Sequence, residues 1–235
     1  MLVIAHRGAR GEKPENSIAA LRTGLDSGAD IIEFDIRVTR DGIPILSHDY
    51  LMYRMHHKLD FITRHTLAEL EKKTIGTDHE VVTLERALDE CLGQVILIID
   101  MKEYRAVTPV LAALKKRLKR KKDWESVMFS SFNPLILRKI RTRIPHASLA
   151  LLHHRNPLNF IAWQIPLRLT AVGFHRTHLS SFGLKVAQKL GLFTYVYTVN
   201  RLGAAQILEE KGYDAVVTDF PTQFVRDLQK STKNT

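Results

Sequence analysis

Glu33 and Asp35 stand two residues apart inside the apolar run Ile31-Ile32-Glu33-Phe34-Asp35-Ile36. On a strand, side chains two apart leave from the same face, so both carboxylates point one way. Burying such a pair is costly unless something positive neutralises it. A hard divalent cation with oxygen ligands has the right chemistry, and Asp100, at the end of a later apolar run, can add a third carboxylate. The alternative is a core network with arginine or lysine. His6 and His48 each end a β-type run and are followed by Arg7 and Asp49. A single histidine among eleven carries little information, but two beside a candidate cation site offer an acid and a base near neutral pH. Arg7 and Lys102 can pair with phosphate oxygens. Gly8 and the segment 11–16 let the backbone turn sharply after the first run, and the glycine spacing of a Walker-type or dinucleotide loop is absent.

Residues so far apart meet only if the elements carrying them converge. Short β-rich runs at 2–5, 30–38, 95–99, 126–129, 148–152, 171–174, 193–196 and 215–218 alternate with helix-period segments at 17–26, 83–91, 106–119, 134–143, 159–168, 180–190, 202–211 and 221–228. Strand and helix alternating along the chain predicts an α/β fold on a parallel sheet, and eight repeats predict a (β/α)8 TIM barrel. A barrel of this size takes ~250 residues, so the 235 residues are expected to form one domain, 1–235. The stretch 43–83 breaks the rhythm and predicts a short excursion between the second and third barrel strands, with a strand at 43–46 and a helix near 67–73. A barrel gathers its chemistry at the C-terminal ends of its strands. His6, Glu33, Asp35, Asp100, Ser130, His153, His175, Thr198, Asn200 and Asp219 all fall at or near such ends.

Composition narrows the classes. With 45% hydrophobic residues the chain can bury a sizeable core. The single cysteine, Cys91, can form no intrachain disulfide and is expected to be a buried thiol. The N-terminus reaches His6 with no room for a secretory leader, and no apolar run approaches the ~20 residues of a membrane span, so a cytoplasmic protein is expected. A net charge of +10 favours anionic partners. Seven of the eight residues at 115–122 are basic, continuing a pattern that places Val107, Val110, Leu111, Leu114 and Leu118 on one helix face. This predicts a basic helix end at 115–122, solvated or else drawn to an anionic membrane surface. No helix-turn-helix, zinc-finger or aromatic RNA-binding motif is present, so no nucleic-acid partner is expected. The oligomeric state is not legible.

The ordered series His6-Arg7-Gly8, Pro14-Glu15-Asn16-Ser17, Gly28-Ala29-Asp30, Glu33-x-Asp35, Thr39-x-Asp41-Gly42 and His48-Asp49 resembles the N-terminal signature of the glycerophosphodiester phosphodiesterase family. Further on, Asp100-Met101-Lys102, Ser130-Ser131-Phe132, Tyr197-Thr198-Val199-Asn200 and Val217-Thr218-Asp219-Phe220-Pro221 resemble its later motifs. The resemblance implies hydrolysis of a small glycerophosphodiester to glycerol 3-phosphate and an alcohol. It also implies a divalent cation, Mg2+ or Ca2+, on Glu33, Asp35 and Asp100, and acid/base catalysis by His6 and His48. Substrate contacts are implied for Arg7, Lys102, His175 and Tyr197. Asp100 replaces the usual glutamate and Tyr197 the usual tryptophan, which implies a cation either displaced or bound through water, and an altered pocket wall. The alternative on the same barrel is lysophospholipase D- or C-like cleavage of lysolipid headgroups.

Overall fold

Period-two alternation along the strands divides the buried side chains into two layers. The structure, a computed structural model, describes residues 1–51, 60–75, 80–153 and 155–233. Its strands are β1 (Leu2–Ala5), β2 (Ile31–Val38), β3 (Pro44–Leu46), β4 (Ile96–Met101), β5 (Val127–Ser131), β6 (Ser148–Leu152), β7 (Ala171–His175), β8 (Phe193–Tyr197) and β9 (Ala215–Thr218). All but β3 pair in parallel around a ring that β1 closes by pairing with both β9 and β2, which makes a (β/α)8 barrel. The helices are α1 (Ile18–Asp26), α2 (Leu67–Thr74), α3 (Leu84–Cys91), α4 (Val107–Arg117), α5 (Pro134–Arg143), α6 (Asn159–Leu167), α7 (Ser181–Lys189), α8 (Leu202–Glu210) and α9 (Pro221–Lys233).

On β2 every residue is buried. Ile32, Phe34, Ile36 and Val38 join the layer between strands and helices, against residues such as Leu21 and Leu88. Ile31 faces the lumen with Ile4, Ile98, Ala171 and Ala215. Stepping on by twos from these lumen residues reaches His6, Glu33, Asp35, Asp100, His175 and Asp219. The barrel is therefore plugged by apolar side chains below and turns polar at the strands' C-terminal ends.

β2 overruns the rim, turns through residues 39–42, and returns as β3 in antiparallel register, with Ile36 opposite Leu46. Within the predicted excursion, Ile45, Ile62, Leu70 and Val81 form a small core of their own; residues 52–59 and 76–79 of that segment lie outside the described residues. Two boundaries differ in ways that matter. β4 runs on to Met101, placing Asp100 in direct register with Asp35. The predicted basic helix at 115–122 is not one helix: α4 stops at Arg117, Leu118 turns extended and is buried, and a 3-10 turn follows at Lys121–Ser126. Asp123 drives the break by accepting the backbone N–H groups of Lys119 and Arg120. At the C-terminus, the helix expected at 221–228 continues to Lys233.

Gly8, between β1 and α1, has φ +75°, and a Cβ there would lie 2.4 Å from the carbonyl carbon of Ala20. Gly8→Ala is expected to cost about 2 kcal/mol or more of stability, read as a lowered midpoint of thermal unfolding. An unchanged midpoint would mean that this turn is not constrained by its packing against α1.

Candidate active site

His6 leaves the end of β1 with its backbone N–H bonded to the Thr218 carbonyl, 3.0 Å away on β9's last residue. Its Nδ1 meets Oδ1 of Asp219 at 2.6 Å. Asn200 braces that aspartate, donating from Nδ2 to Oδ2 at 2.8 Å while its Oδ1 accepts the Asp219 backbone N–H at 2.9 Å. Burial works against ionising Asp219, but the hydrogen bonds from His6 and Asn200 outweigh it and hold the carboxyl down at about 2. Burial also dominates at His6, lowering its pKa from the ordinary 6.5 although Asp219 pulls the other way.

His48 arrives from the opposite direction, at the end of the β2–β3 hairpin. Ser47 N–H bonds to the Asp35 carbonyl at 3.0 Å, which fixes the hairpin's register against the site. The Arg37 guanidinium donates to the His48 carbonyl from Nε at 3.0 Å and from one terminal nitrogen at 2.8 Å, and lies 3.9 Å from the centre of the Tyr50 ring. The His48 ring has its Nδ1 2.7 Å from Oδ1 of Asp49. Each imidazole thus turns Nδ1 to a carboxylate, the arrangement that leaves Nε2 as the exchanging nitrogen.

Between them lie the three buried carboxylates. Glu33, Asp35 and Asp100 each offer an oxygen, and these oxygens all lie within 4.8 Å of one another. Oxygen ligands on opposite sides of one Mg2+ or Ca2+ are separated by roughly 4.2–5 Å, so the set can embrace a single ion. The shorter Asp100 reaches because it is Asp35's register partner on the adjacent strand. Arg7 bonds Glu33 through its backbone N–H at 2.9 Å and ion-pairs through Nε with Asp35 at 3.0 Å. Its Nη1 donates to both oxygens of Glu15. Lys102 Nζ lies 2.8 Å from Asp35 and 2.5 Å from Asp100. Asn16 donates to the Asp35 carboxylate at 3.1 Å and accepts the Asp35 backbone N–H at 3.2 Å.

The electrostatics are unequal among the three. Burial opposes ionisation of Asp35, but Lys102 and Arg7 win and hold its pKa low. Burial, reinforced by Asp35 and Asp100, drives Glu33 well above the usual carboxylate range. Burial likewise raises Asp100 against the pull of Lys102. With every group ionised, Arg7 and Lys102 leave the four carboxylates, Glu15 included, two charges short of balance. Oδ1 of Asp100 is buried and accepts no hydrogen bond. A divalent cation would satisfy both deficits, and the donor set fits one.

Opposite the carboxylates is an aromatic wall. Tyr197 donates its hydroxyl to the His153 carbonyl at 2.6 Å, and its ring meets Phe132 and His175 edge-on at 6.1 and 5.5 Å. The cavity at this mouth, about 280 Å³, is bounded by both histidines, the three carboxylates, Arg7, Lys102, His175 and Tyr197. Every residue given a catalytic, cation or substrate role from the sequence therefore lines one cavity; of the others placed at strand ends, Asp219 and Asn200 stand behind His6, and His153 turns its ring out of the lumen onto Phe174. Arg7 and Lys102 also belong to the core network that was the alternative for the carboxylates, so their charge is shared between that network and any bound phosphate. Asp219 was placed at its strand end by position, with no hint of its pairing with His6. Asn16, Glu15 and Arg10, the last 3.5 Å from Asp219, were not assigned contacts at all.

The profile of the Glycerophosphoryl diester phosphodiesterase family matches residues 6–223. The glycerophosphodiester phosphodiesterase of Caldanaerobacter subterraneus subsp. tengcongensis is 28% identical, covering 97% of this chain and 98% of its own length. One from Bacillus subtilis is 26% identical, covering 95% and 85%. Among solved structures, an Oleispira antarctica phosphodiesterase in complex with the product sn-glycerol-3-phosphate is similar at a TM-score of 0.86 and 23% identity, covering 100% of this chain and 97% of that one. The glycerophosphodiester phosphodiesterase of Thermotoga maritima is similar at 0.80 and 24%, covering 96% and 97%.

In cation-free protein the His6 ring is expected to titrate below 6.5, and Asp219→Asn, which removes the bond that favours imidazolium, moves it lower still. NMR of the ring Cε1–H against pH measures both. A wild-type midpoint above 6.5, or an upward shift in the variant, contradicts the balance of burial against Asp219.

Proposed function

Because the chain belongs to the glycerophosphoryl diester phosphodiesterase family and is a phosphoric diester hydrolase, we propose that it cleaves glycerophosphodiesters to sn-glycerol 3-phosphate and an alcohol. In this reading Glu33, Asp35 and Asp100 hold Mg2+ or Ca2+, and His6 and His48 move the protons. The observation that carries it is the meeting of three buried carboxylates and two carboxylate-anchored imidazoles around one cavity. The structurally similar Oleispira antarctica phosphodiesterase, in complex with the product sn-glycerol-3-phosphate, supports the product assignment.

A cation bound by the three carboxylates supplies Lewis-acid stabilisation of the charge that builds on the phosphoryl oxygens. Arg7 and Lys102 add fixed positive charge at the same place, already oriented by Asp35, Glu15 and Asp100 and so needing no rearrangement. His6, kept neutral by burial, accepts the nucleophile's proton at Nε2, and Asp219 stabilises the imidazolium that results. His48, whose Nδ1 faces Asp49, takes the complementary role and delivers a proton from Nε2 to the departing alcohol oxygen. One water is consumed overall. Tyr197 and His175 wall the side of the cavity across the barrel from the three carboxylates, where they would bound the substrate.

Purified protein is expected to release glycerol 3-phosphate from glycerophosphocholine in the presence of Mg2+ or Ca2+ and to stop when EDTA is added. His6→Ala and His48→Ala are each expected to lower kcat by roughly 10²- to 10⁴-fold while leaving cation binding intact. Full activity in either variant would remove that histidine from the reaction.

A further inference from the structure

The charge of this chain is not spread over its surface. None of its 25 acidic residues falls between positions 126 and 208, whereas ten of its 35 Lys and Arg do. The remainder is balanced at 25 of each, so the whole formal +10 belongs to the sector that runs from β5 to the start of α8. The basic run at 115–122 is by contrast partly neutralised locally: Lys116 pairs with Glu85, Arg117 with Asp89 and Arg120 with Asp123.

The same sector carries an unusual helix. α6, Asn-Phe-Ile-Ala-Trp-Gln-Ile-Pro-Leu, has no charged residue, although its outer face meets solvent. Ile165 is 88% exposed and Ile161 39%, while Phe182 in the first turn of α7 is 63% exposed. The two helices adjoin at their starts, where Leu158 Cδ2 lies 3.2 Å from the position a Cβ on Gly183 would take. Phe182, Lys185 and Lys189 border one shallow depression along α7. Barrel helices begin at the strands' C-terminal ends, so this face starts beside the catalytic mouth.

We propose that the outer face of α6 and α7 docks on an anionic lipid bilayer, with Ile161, Ile165 and Phe182 entering among the acyl chains and Lys185 and Lys189 at the headgroups. Exposed apolar side chains on the same pair of adjoining helices as Lys185 and Lys189, with no acid between positions 126 and 208, match the chemistry of such an interface. A nucleic acid would use the cations but gain nothing from Ile161 and Ile165, because its bases are held by aromatic stacking. A second copy related by a twofold axis would set this uncompensated positive face against itself. No helix among the described residues is long and apolar enough to cross a membrane, so the contact is peripheral. The docking rests on the surface alone and does not depend on the reaction assigned to the barrel.

The test is co-flotation of the full chain with vesicles of phosphatidylcholine, alone or mixed with phosphatidylglycerol. The protein is expected to float with the mixed vesicles only. Ile161→Ser/Ile165→Ser, Phe182→Ser and Lys185→Glu/Lys189→Glu are each expected to weaken that partition by roughly tenfold, with unchanged thermal midpoints. The proposal is overturned if wild type stays with the soluble fraction, if the variants float as well as wild type, or if duplex DNA or RNA displaces the vesicles. It is also overturned if wild type is a dimer in solution that the serine variants dissociate.

Discussion

Three carboxylates crowded into the lumen of a barrel set the terms for everything around them. At separations near 5 Å and an effective dielectric of ~20, each pair repels by roughly 3 kcal/mol, and Asp35 is 1% exposed, so solvent does little to relieve it. Such a cluster persists only if the fold delivers compensation to the same spot. Lys102 and Arg7 deliver part of it, and burial with the neighbouring carboxylates still pushes Glu33 well above the usual carboxylate range. The remainder is a deficit of positive charge that a divalent cation would fill.

The local irregularities follow from this demand. Arg7 sits at φ 51° and Asn16 at φ 58°, a region non-glycine residues enter at a cost of about 1–3 kcal/mol. In that conformation Arg7 bonds Glu33 with its backbone while its side chain spans Asp35 and Glu15, and Asn16 clasps Asp35 twice. The hairpin after β2 is a second device. A barrel strand delivers residues to the mouth only from below, whereas the antiparallel return of β3 carries His48 back to it from above, opposite the Asp219-bound His6.

Much of this was legible before any coordinates. Alternation within one apolar run was enough to put Glu33 and Asp35 on a shared face, and the strand–helix rhythm was enough to bring both to the same rim as His6 and Asp100. What escaped was whatever depends on pairing between distant strands. The register that sets Asp100 beside Asp35 belongs to the closed sheet, and no spacing links His6 to Asp219, 213 positions away. The helix expected at 115–122 breaks for a related reason: Asp123, outside the run, caps a turn, and Glu85 and Asp89 pair with Lys116 and Arg117 from α3.

Diffraction decides whether the lumen carboxylates hold a single divalent cation. Crystals equilibrated with Mn2+ and measured at the manganese absorption edge should show a single anomalous peak roughly 2.0–2.4 Å from oxygens of Glu33, Asp35 and Asp100. Active enzyme whose crystals place the ion elsewhere, or show no peak between those carboxylates, would contradict that assignment.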